Sequence, residues 1–314
     1  TNPVDLQHYN QSVIFETRDK LDADLLRRAT AELIAHHDAL RLRFHHDGAA
    51  WQQTNSAVEH DCFTPIDLSA VAEDDRSSLL ERAAGDLQTS LDLTNGPLIR
   101  AVLFTWPNDM PDRFMMVIHH LAIDGVSWRI LLDDLQRAYG QLKVSEPVDL
   151  GLKTTSFKQW SEKMIEYAQS PELRREVPFW IDMLQPNAIP VDYPEGRNDR
   201  RSAERFSLSL EEAHTRALLQ DSPKKYRAQI NDLLLTALLE AFHRSAGLNS
   251  IALNLEGHGR EDLFEELDLT RTVGWFTTIF PVRCAKVSGE SVVATLKRVK
   301  ETLRSLPNNG LGYG

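Results

Sequence analysis

The chain of 314 residues is 42% hydrophobic and 26% charged, and its formal net charge is -11. A chain of this size can bury one large core or two moderate ones, and its length favours two. Lys and Arg are scattered among more numerous Asp and Glu residues, which argues against a phosphate-tracking surface and hence against a nucleic-acid partner.

Cysteine usage predicts a reducing compartment, and hydropathy predicts no membrane span. Cys62 and Cys284 have no Cys-x-x-Cys spacing, so neither a disulfide framework nor a zinc site is predicted. No segment approaches the roughly 18 consecutive apolar residues of a membrane span, and residues 1–5 do not resemble a signal peptide. We therefore expect a cytoplasmic location, no membrane contact and no metal.

The first half of the chain alternates strands and helices. Residues 12–17 predict a strand, and Asp22 is placed to cap the helix that follows. One face of that helix is expected to carry Leu26, Ala29, Leu33, His37 and Leu40. The runs 98–106 and 113–119, separated by the turn-like Pro107-Asn108-Asp109, predict an antiparallel pair.

The next features along the chain are a helix that starts at Ser127 and a change in composition near residue 168. The helix presents one stripe made of Trp128, Leu131, Leu132, Leu135 and Tyr139. A charged helix up to Leu184 and a polar loop up to Arg201 then predict a boundary between a lobe of residues 1–168 and a lobe of residues 169–314. Beyond the boundary, we expect strands at 205–210, 251–255 and 274–284 and helices at 211–219, 231–246 and 291–306.

The most informative segment reads His119-His120-Leu121-Ala122-Ile123-Asp124-Gly125-Val126-Ser127-Trp128. It follows the apolar run 114–118, which predicts a buried strand. A strand that ends in two imidazoles and turns through Asp-Gly into a helix places titratable groups at the end of an element, where catalytic groups are usually held. A histidine pair in such a place is, without context, more often structural. The remaining histidines, including the pairs at 36–37 and 45–46, are expected in surface and loop packing.

A carboxylate follows a second apolar strand. Glu256 comes directly after residues 251–255 and opens the stretch Glu-Gly-His-Gly-Arg-Glu, whose glycines would let the backbone approach a ligand closely. Taken alone, Glu256 is a solvated charge beside a glycine turn. Arg260 is equally a salt-bridge partner or a substrate guide. Residues 271–277 read Arg-Thr-Val-Gly-Trp-Phe-Thr and open the next strand.

Together these segments resemble a known family. The His-His-x-x-x-Asp-Gly pattern at 119–125 is similar to the signature of the condensation-domain superfamily of nonribosomal peptide synthetases, which shares its fold with chloramphenicol acetyltransferase. Within it, the following segments resemble the epimerization branch: 7–12, 126–128, 256–261, 271–277 and the closing Pro-Asn-Asn-Gly-Leu-Gly-Tyr-Gly at 307–314. The resemblance covers essentially the whole chain, with the motifs in the family's order.

The resemblance implies an α/β, two-lobed fold with the active site in a tunnel between the lobes. It also implies a reaction: epimerization, from L to D at the α-carbon, of an aminoacyl or peptidyl thioester carried on the phosphopantetheine arm of a carrier domain, with no intrinsic cofactor. The expected partners are a peptidyl carrier domain, upstream in the same polypeptide, and adjacent synthetase modules.

The resemblance assigns the acid/base chemistry to His120 and Glu256. Inversion requires removal of a weakly acidic proton, stabilisation of the enolate and return of a proton on the opposite face. Either residue could serve either face, or His120 could steady the enolate oxygen while Glu256 handles the protons. The supporting residues are expected to be His119, packed beneath the tunnel floor, Asp124, which fixes the loop, and Gly125, Ser127, Trp128, Arg260 and Tyr313.

Two other functions stay open. A condensation-type acyltransferase would use His120 to assist an amine that attacks the thioester, and Glu256 argues against it because amide formation needs no second proton-transfer group. A non-catalytic docking module is the third reading. The family's first motif, with an aromatic pair, and its final Phe-Asn-Tyr-Leu-Gly motif are absent, so we expect the chain to be incomplete at both ends.

Overall fold

The computed structural model describes residues 6–57, 61–107, 110–184, 189–197, 199 and 201–314. The chain forms two compact units. The first contains the residues up to Ile165 together with Asp262–Thr277, and the second contains Glu166–Glu261 together with Thr278–Gly314. These units differ from lobes of 1–168 and 169–314 mainly because the segment 262–277 belongs to the first unit.

The first unit is built on a mixed four-stranded sheet of order β1-β6-β5-β4. Strand β1 (Asn10–Glu16) runs antiparallel to β6 (Arg113–His119), which runs antiparallel to β5 (Ile99–Thr105). Strand β4 (Phe63–Asp67) is parallel to β5. The predicted antiparallel pair is therefore confirmed, and two residues of the turn predicted between its strands, Asn108 and Asp109, lie outside the described residues.

Helices explain why the central strands are apolar on both faces. Helices α1 (Ala23–His36) and α3 (Gly125–Lys143) cover one face, where Met116 and Ile118 are buried, and α2 (Glu73–Thr89) covers the other, where Met115 and Val117 are buried. A strand that is covered on both faces reads as a continuous apolar run without alternation. Residues 114–118 have this pattern.

Helix α1 begins as predicted and ends earlier than predicted. The Asp22 side chain accepts from the N–H groups of Asp24 and Leu25 at the helix N-terminus. His37 lies just past the last turn, and Leu40 lies in a 3₁₀ turn over Asp38–Arg41, yet both are buried. The sequence did not predict the hairpin that follows, β2 (Leu42–His46) with β3 (Trp51–Asn55).

The second unit packs its helices around an antiparallel pair of strands, β7 (Ser250–Gly257) and β8 (Thr278–Ala285). Helix α4 (Phe157–Ala168) precedes the helices of this unit in the chain. The helices of the unit are α5 (Pro171–Arg174), α6 (Val177–Met183), α7 (Glu212–Arg216), α8 (Ser222–Tyr226), α9 (Ile230–Ala246) and α10 (Val292–Arg304). Its core is formed by Trp180, Leu235, Leu239, Ile251, Phe280, Val282, Cys284 and Val299. Among the helices that the structure describes, none combines the length and apolarity of a membrane span.

Three predicted elements of this half need correction. Residues 205–210 are irregular, and Phe206 and Leu208 are 88% and 87% exposed, because a strand needs a hydrogen-bonding partner and the described residues provide none there. The predicted strand 274–284 begins only at Thr278. The helix predicted to end at Leu219 continues, through a π-helical turn over Ala217–Asp221, into α8.

The core of the first unit makes a stability prediction. Leu33 is completely buried in α1, whereas Leu152 is 94% exposed. We expect Leu33→Ala to lower the free energy of unfolding by about 2–5 kcal/mol, because it removes buried methyl groups and leaves a cavity. The control Leu152→Ala should change it by less than about 0.5 kcal/mol. Urea unfolding measures both, and equal effects would contradict the packing described here.

Candidate active site

His120 is held by hydrogen bonds at both ring nitrogens. It follows β6 directly, in a 3₁₀ turn over His120–Ala122. Its Nδ1 lies 2.8 Å from the carbonyl oxygen of Ile123, and its Nε2 lies 3.0 Å from Nε2 of Gln11. A carbonyl only accepts hydrogen bonds, so Nδ1 carries a proton and Nε2 has the lone pair of the neutral ring. His120 therefore presents the ring atom that a general base uses.

Aromatic residues enclose the His120 ring. The Tyr9 ring stacks on it at a centroid distance of 5.0 Å and an interplanar angle of 15°. The Trp275 ring lies 4.6 Å away and is tilted by 36°. The third neighbour is polar: Gln11 accepts at Oε1 from the Trp128 indole N–H at 2.7 Å. The imidazole is half-buried, with its plane fixed by rings and its nitrogens fixed by hydrogen bonds.

Asp124 and Ser127 fix the start of α3. The buried Asp124 accepts at Oδ1 from the backbone N–H and the hydroxyl of Ser127, both at 2.8 Å, and at Oδ2 from the N–H of Phe276 at 3.1 Å. The Ser127 hydroxyl also lies 3.0 Å from the carbonyl oxygen of Gly274. These hydrogen bonds hold the start of α3 in place, and the part that Asp124 plays in the site stays a prediction. Gly125 has open space around its α-carbon, so neither packing nor backbone conformation requires a glycine there.

His119 is buried and bound to the backbone at both ring nitrogens. It is 1% exposed, with Nε2 3.0 Å from the carbonyl oxygen of Leu6 and Nδ1 3.2 Å from the N–H of Leu121. Its proton is therefore on Nε2, opposite to the arrangement in His120. Burial lowers the pKa of His119, although the hydrogen bond to Leu6 partly offsets this effect.

A second buried network lies on α3. Both carboxylate oxygens of Asp134 are bound, one to His37 Nε2 at 2.8 Å and the other to the Arg271 guanidinium. Burial alone would raise the pKa of Asp134, but the hydrogen bonds from His37 and Arg271 outweigh it and lower the pKa. His37 is thus a core residue, which corrects the surface position expected for it. His36, His37 and Asp134 have possible metal-ligand atoms within 4.8 Å of one another, but the Asp134 carboxylate already binds the Arg271 guanidinium.

Glu256 lies in the second unit, one residue before the end of β7 and paired with Ile279 of β8. It is exposed, and no hydrogen bond or ion pair joins its carboxylate to another described residue. The next residue, Gly257, leaves no room for a side chain, since a Cβ there would come within 2.8 Å of the Thr278 hydroxyl. The end of β7 therefore presents an acid that is bound to none of the residues that the structure describes.

In the second unit, the stretch 256–261 and the closing stretch 307–314 are joined by a hydrogen bond. Asn309 donates to Glu261 at 2.7 Å, and Glu261 also faces His258 at 3.4 Å. Asn308, Asn309 and Gly310 have consecutive positive φ angles of 43°, 50° and 85°. A Cβ at Gly310 would overlap the Phe280 ring at 2.1 Å, so only glycine fits this turn. The predicted site residue Arg260 is half-buried in the same stretch.

Tyr313, also a predicted site residue, packs against α6. Its ring lies 5.3 Å from that of Trp180, and it is 37% exposed. Glu176 accepts from the Trp180 indole at 3.2 Å and from Asn308 at 3.1 Å. A Cβ at Gly312 would meet Leu173 at 2.4 Å, so the closing motif is seated closely on this surface.

The structure groups His120, Asp124, Ser127 and Trp128 in the first unit and Glu256, Arg260 and Tyr313 in the second. The sequence identified the segments 7–12 and 271–277 as family-like but assigned no role to Tyr9, Gln11 or Trp275 within them. Gln11 reaches His120 through the β1–β6 register, in which it pairs with Ile118, two residues before His120, and only the structure shows that register.

Comparisons with known proteins agree with these motifs. The family model described as "Condensation domain" matches residues 4–314. The chain belongs to the condensation-domain family. One subunit of the linear gramicidin synthase of Brevibacillus parabrevis is 45% identical over 312 residues, which are 98% of this chain and 6% of that protein. Gramicidin S synthase 1 of Brevibacillus brevis is 36% identical over 313 residues, 99% of this chain and 28% of that protein. The chain thus spans less than a third of either relative.

Solved structures confirm the predicted α/β fold. The epimerization domain from the third module of tyrocidine synthetase B has a TM-score of 0.88 and 36% identity, and the match covers 98% of this chain and 69% of that chain. The first condensation domain of the calcium-dependent antibiotic synthetase has a TM-score of 0.77 and 21% identity, covering 96% and 69%. The second likeness bears on the fold alone.

The buried His119 predicts a pH dependence of stability. Its pKa is lower in the folded chain than in the unfolded chain, so its stabilising contribution is complete above the unfolded value of about 6.5 and is lost as the pH falls through the folded value. We expect His119→Gln to flatten the change in unfolding free energy between pH 7.5 and 5.5. The exposed His214→Gln is the control and should keep the wild-type slope. An unchanged slope in His119→Gln would contradict the assignment.

Proposed function

We propose that this condensation-family domain is an epimerase that inverts the α-carbon of an aminoacyl or peptidyl thioester, presented on the phosphopantetheine arm of a carrier domain. The observation that carries the proposal is the Glu256 carboxylate, which is exposed at the end of β7 and has no partner among the described residues. Inversion needs two proton-transfer groups, whereas amide formation needs no second one on the opposite face of the substrate.

His120 supplies the first group. Its lone pair is on Nε2, and its Nδ1–H is anchored on the Ile123 carbonyl, so the ring can accept a proton without turning. In the proposed reaction, one group removes the α-proton of the thioester and the electron pair passes to the carbonyl oxygen as an enolate. The other group, which starts protonated, gives its proton to the opposite face as the enolate returns to the thioester. Exchange with solvent then removes the proton held by the first group and reprotonates the second. No step requires a cofactor.

The similarity to a solved epimerization domain supports the same reading, since 36% identity extends over 98% of this chain. The stretch Glu-Gly-His-Gly-Arg-Glu at 256–261 is intact, and Asn309 braces it through Glu261. Because the curated relatives are long synthases, we further propose that the carrier domain and neighbouring synthetase modules belong to the same polypeptide.

The proposal predicts exchange of the α-proton with solvent. Turnover of a loaded L-aminoacyl carrier in heavy water should place deuterium at the α-carbon and yield a D/L mixture. Glu256→Gln keeps the side-chain shape but removes the proton-transfer group, so exchange and inversion should fall by at least about a hundredfold. His120→Ala should be similarly damaging, and the double variant should lose little more, because the two groups act as a unit.

Glu301→Gln provides the matched control, since Glu301 is an exposed carboxylate on α10 of the same unit and should leave exchange unchanged. Mass spectrometry of the released amino acid measures the deuterium, and chiral chromatography measures the inversion. The assay requires the longer polypeptide that the relatives imply. A new peptide bond with α-protium retained would show a condensation enzyme instead, and neither product would indicate a docking module.

A further inference from the structure

We propose that Gln11 is a positioning residue that sets the protonation pattern of His120, and that the Trp128 indole N–H in turn sets the orientation of Gln11. The part of this inference that concerns catalysis rests on the proposed function of His120. The geometry of the ring rests only on the hydrogen bonds of the first unit.

The Gln11 side chain has one orientation that satisfies its neighbours. The indole N–H of Trp128 only donates hydrogen bonds, so the atom 2.7 Å from it must be the amide oxygen of Gln11. The amide nitrogen then faces His120 Nε2 at 3.0 Å. A flipped amide would place two donors against each other at Trp128. Trp128 is 8% exposed, so water has little access with which to replace the missing bond.

The oriented amide determines the state of the His120 ring. An N–H group that points at Nε2 requires a lone pair there, and the Ile123 carbonyl 2.8 Å from Nδ1 requires a proton on that side. The two conditions come from different parts of the chain, β1 and the turn after β6, and both select the neutral Nδ1–H form. Ring contacts with Tyr9 and Trp275 keep the imidazole from turning out of this geometry.

This arrangement has a consequence for the reaction. In the resting state His120 can accept a proton at Nε2 but has none to give from that atom. His120 therefore acts first as the base, and an incoming α-proton competes with the Gln11 amide for the same lone pair. Gln11 is thus a positioning residue, since it acts on the substrate only through His120.

The test exchanges the donor for an acceptor. Gln11→Glu is close to isosteric, and its carboxylate would require a proton on Nε2 as well as on Nδ1. Ring ¹⁵N spectra of histidine-labelled protein at pH 8, with the His120 signals assigned by their loss in His120→Ala, should show the neutral Nδ1–H form in the unchanged protein. In Gln11→Glu both nitrogens should be protonated, and α-proton exchange should fall by at least about tenfold, because a positioned acid/base contributes at least that much.

Two further variants separate donation from charge and packing. Gln53→Glu adds the same charge on the exposed strand β3 and should leave the His120 spectrum and the exchange rate unchanged. Trp128→Phe keeps a ring but removes the indole N–H, so the Gln11 amide can turn and a fraction of the Nε2–H form should appear.

The inference is overturned if the His120 spectrum is the same in Gln11→Glu as in the unchanged protein, if Gln53→Glu reproduces the change, or if the ring changes while exchange does not. A failure of the proposed function is distinguishable from these outcomes: the unchanged protein would then show no α-proton exchange at all, while the ring spectra would still report the effect of Gln11.

Discussion

The carboxylate of Asp124 is the interaction on which the candidate site of the first unit depends. It is 1% exposed, it caps α3 through Ser127, and it accepts from the backbone of Phe276. A buried carboxylate is stable only when hydrogen bonds compensate for its lost hydration. The chain therefore has to bring the start of α3 and the segment around Phe276 to the same place. Trp275, the neighbour of Phe276, is thereby placed against the His120 ring.

The second unit uses a different device to hold its motif. A turn of three residues with positive φ angles, Asn308 to Gly310, fits against Phe280 of β8 and reaches Glu261 through Asn309. Backbone in this region is uncommon for residues other than glycine and persists only where the surroundings determine it. Gly312 and Tyr313, which follow the turn, pack against Glu176 and Trp180 and provide such surroundings. The stretch 256–261 and the closing stretch 307–314 are thus held together by side-chain contacts.

The elements that could be predicted from the sequence are those whose own residues specify them. Asp22 caps α1, and Gly247, with a φ of 69°, ends α9, because both signals are local. Apolar and polar residues alternate over 205–210 as in a strand, yet the segment is irregular. A strand must pair with a second segment, and the alternation does not specify that partner. The burial of His37 could not be predicted because its partner Asp134 lies 97 positions further along the chain. The role of Gln11 is hidden for the same reason, since it comes from Trp128 and His120 rather than from its neighbours in sequence.

The adjacent imidazoles at the end of β6 are protonated on opposite nitrogens. His119 donates through Nε2 and accepts through Nδ1 from the main chain, so both of its ring atoms are occupied by backbone groups. His120 has its Nδ1–H on a carbonyl, which leaves Nε2 as its one exchangeable position. Among the described residues, the hydrogen bonds of the two rings lead to different groups, so the pair does not form a continuous path for a proton. A proton that the His120 ring takes up is therefore gained and lost at Nε2, so the ring transfers one proton at a time.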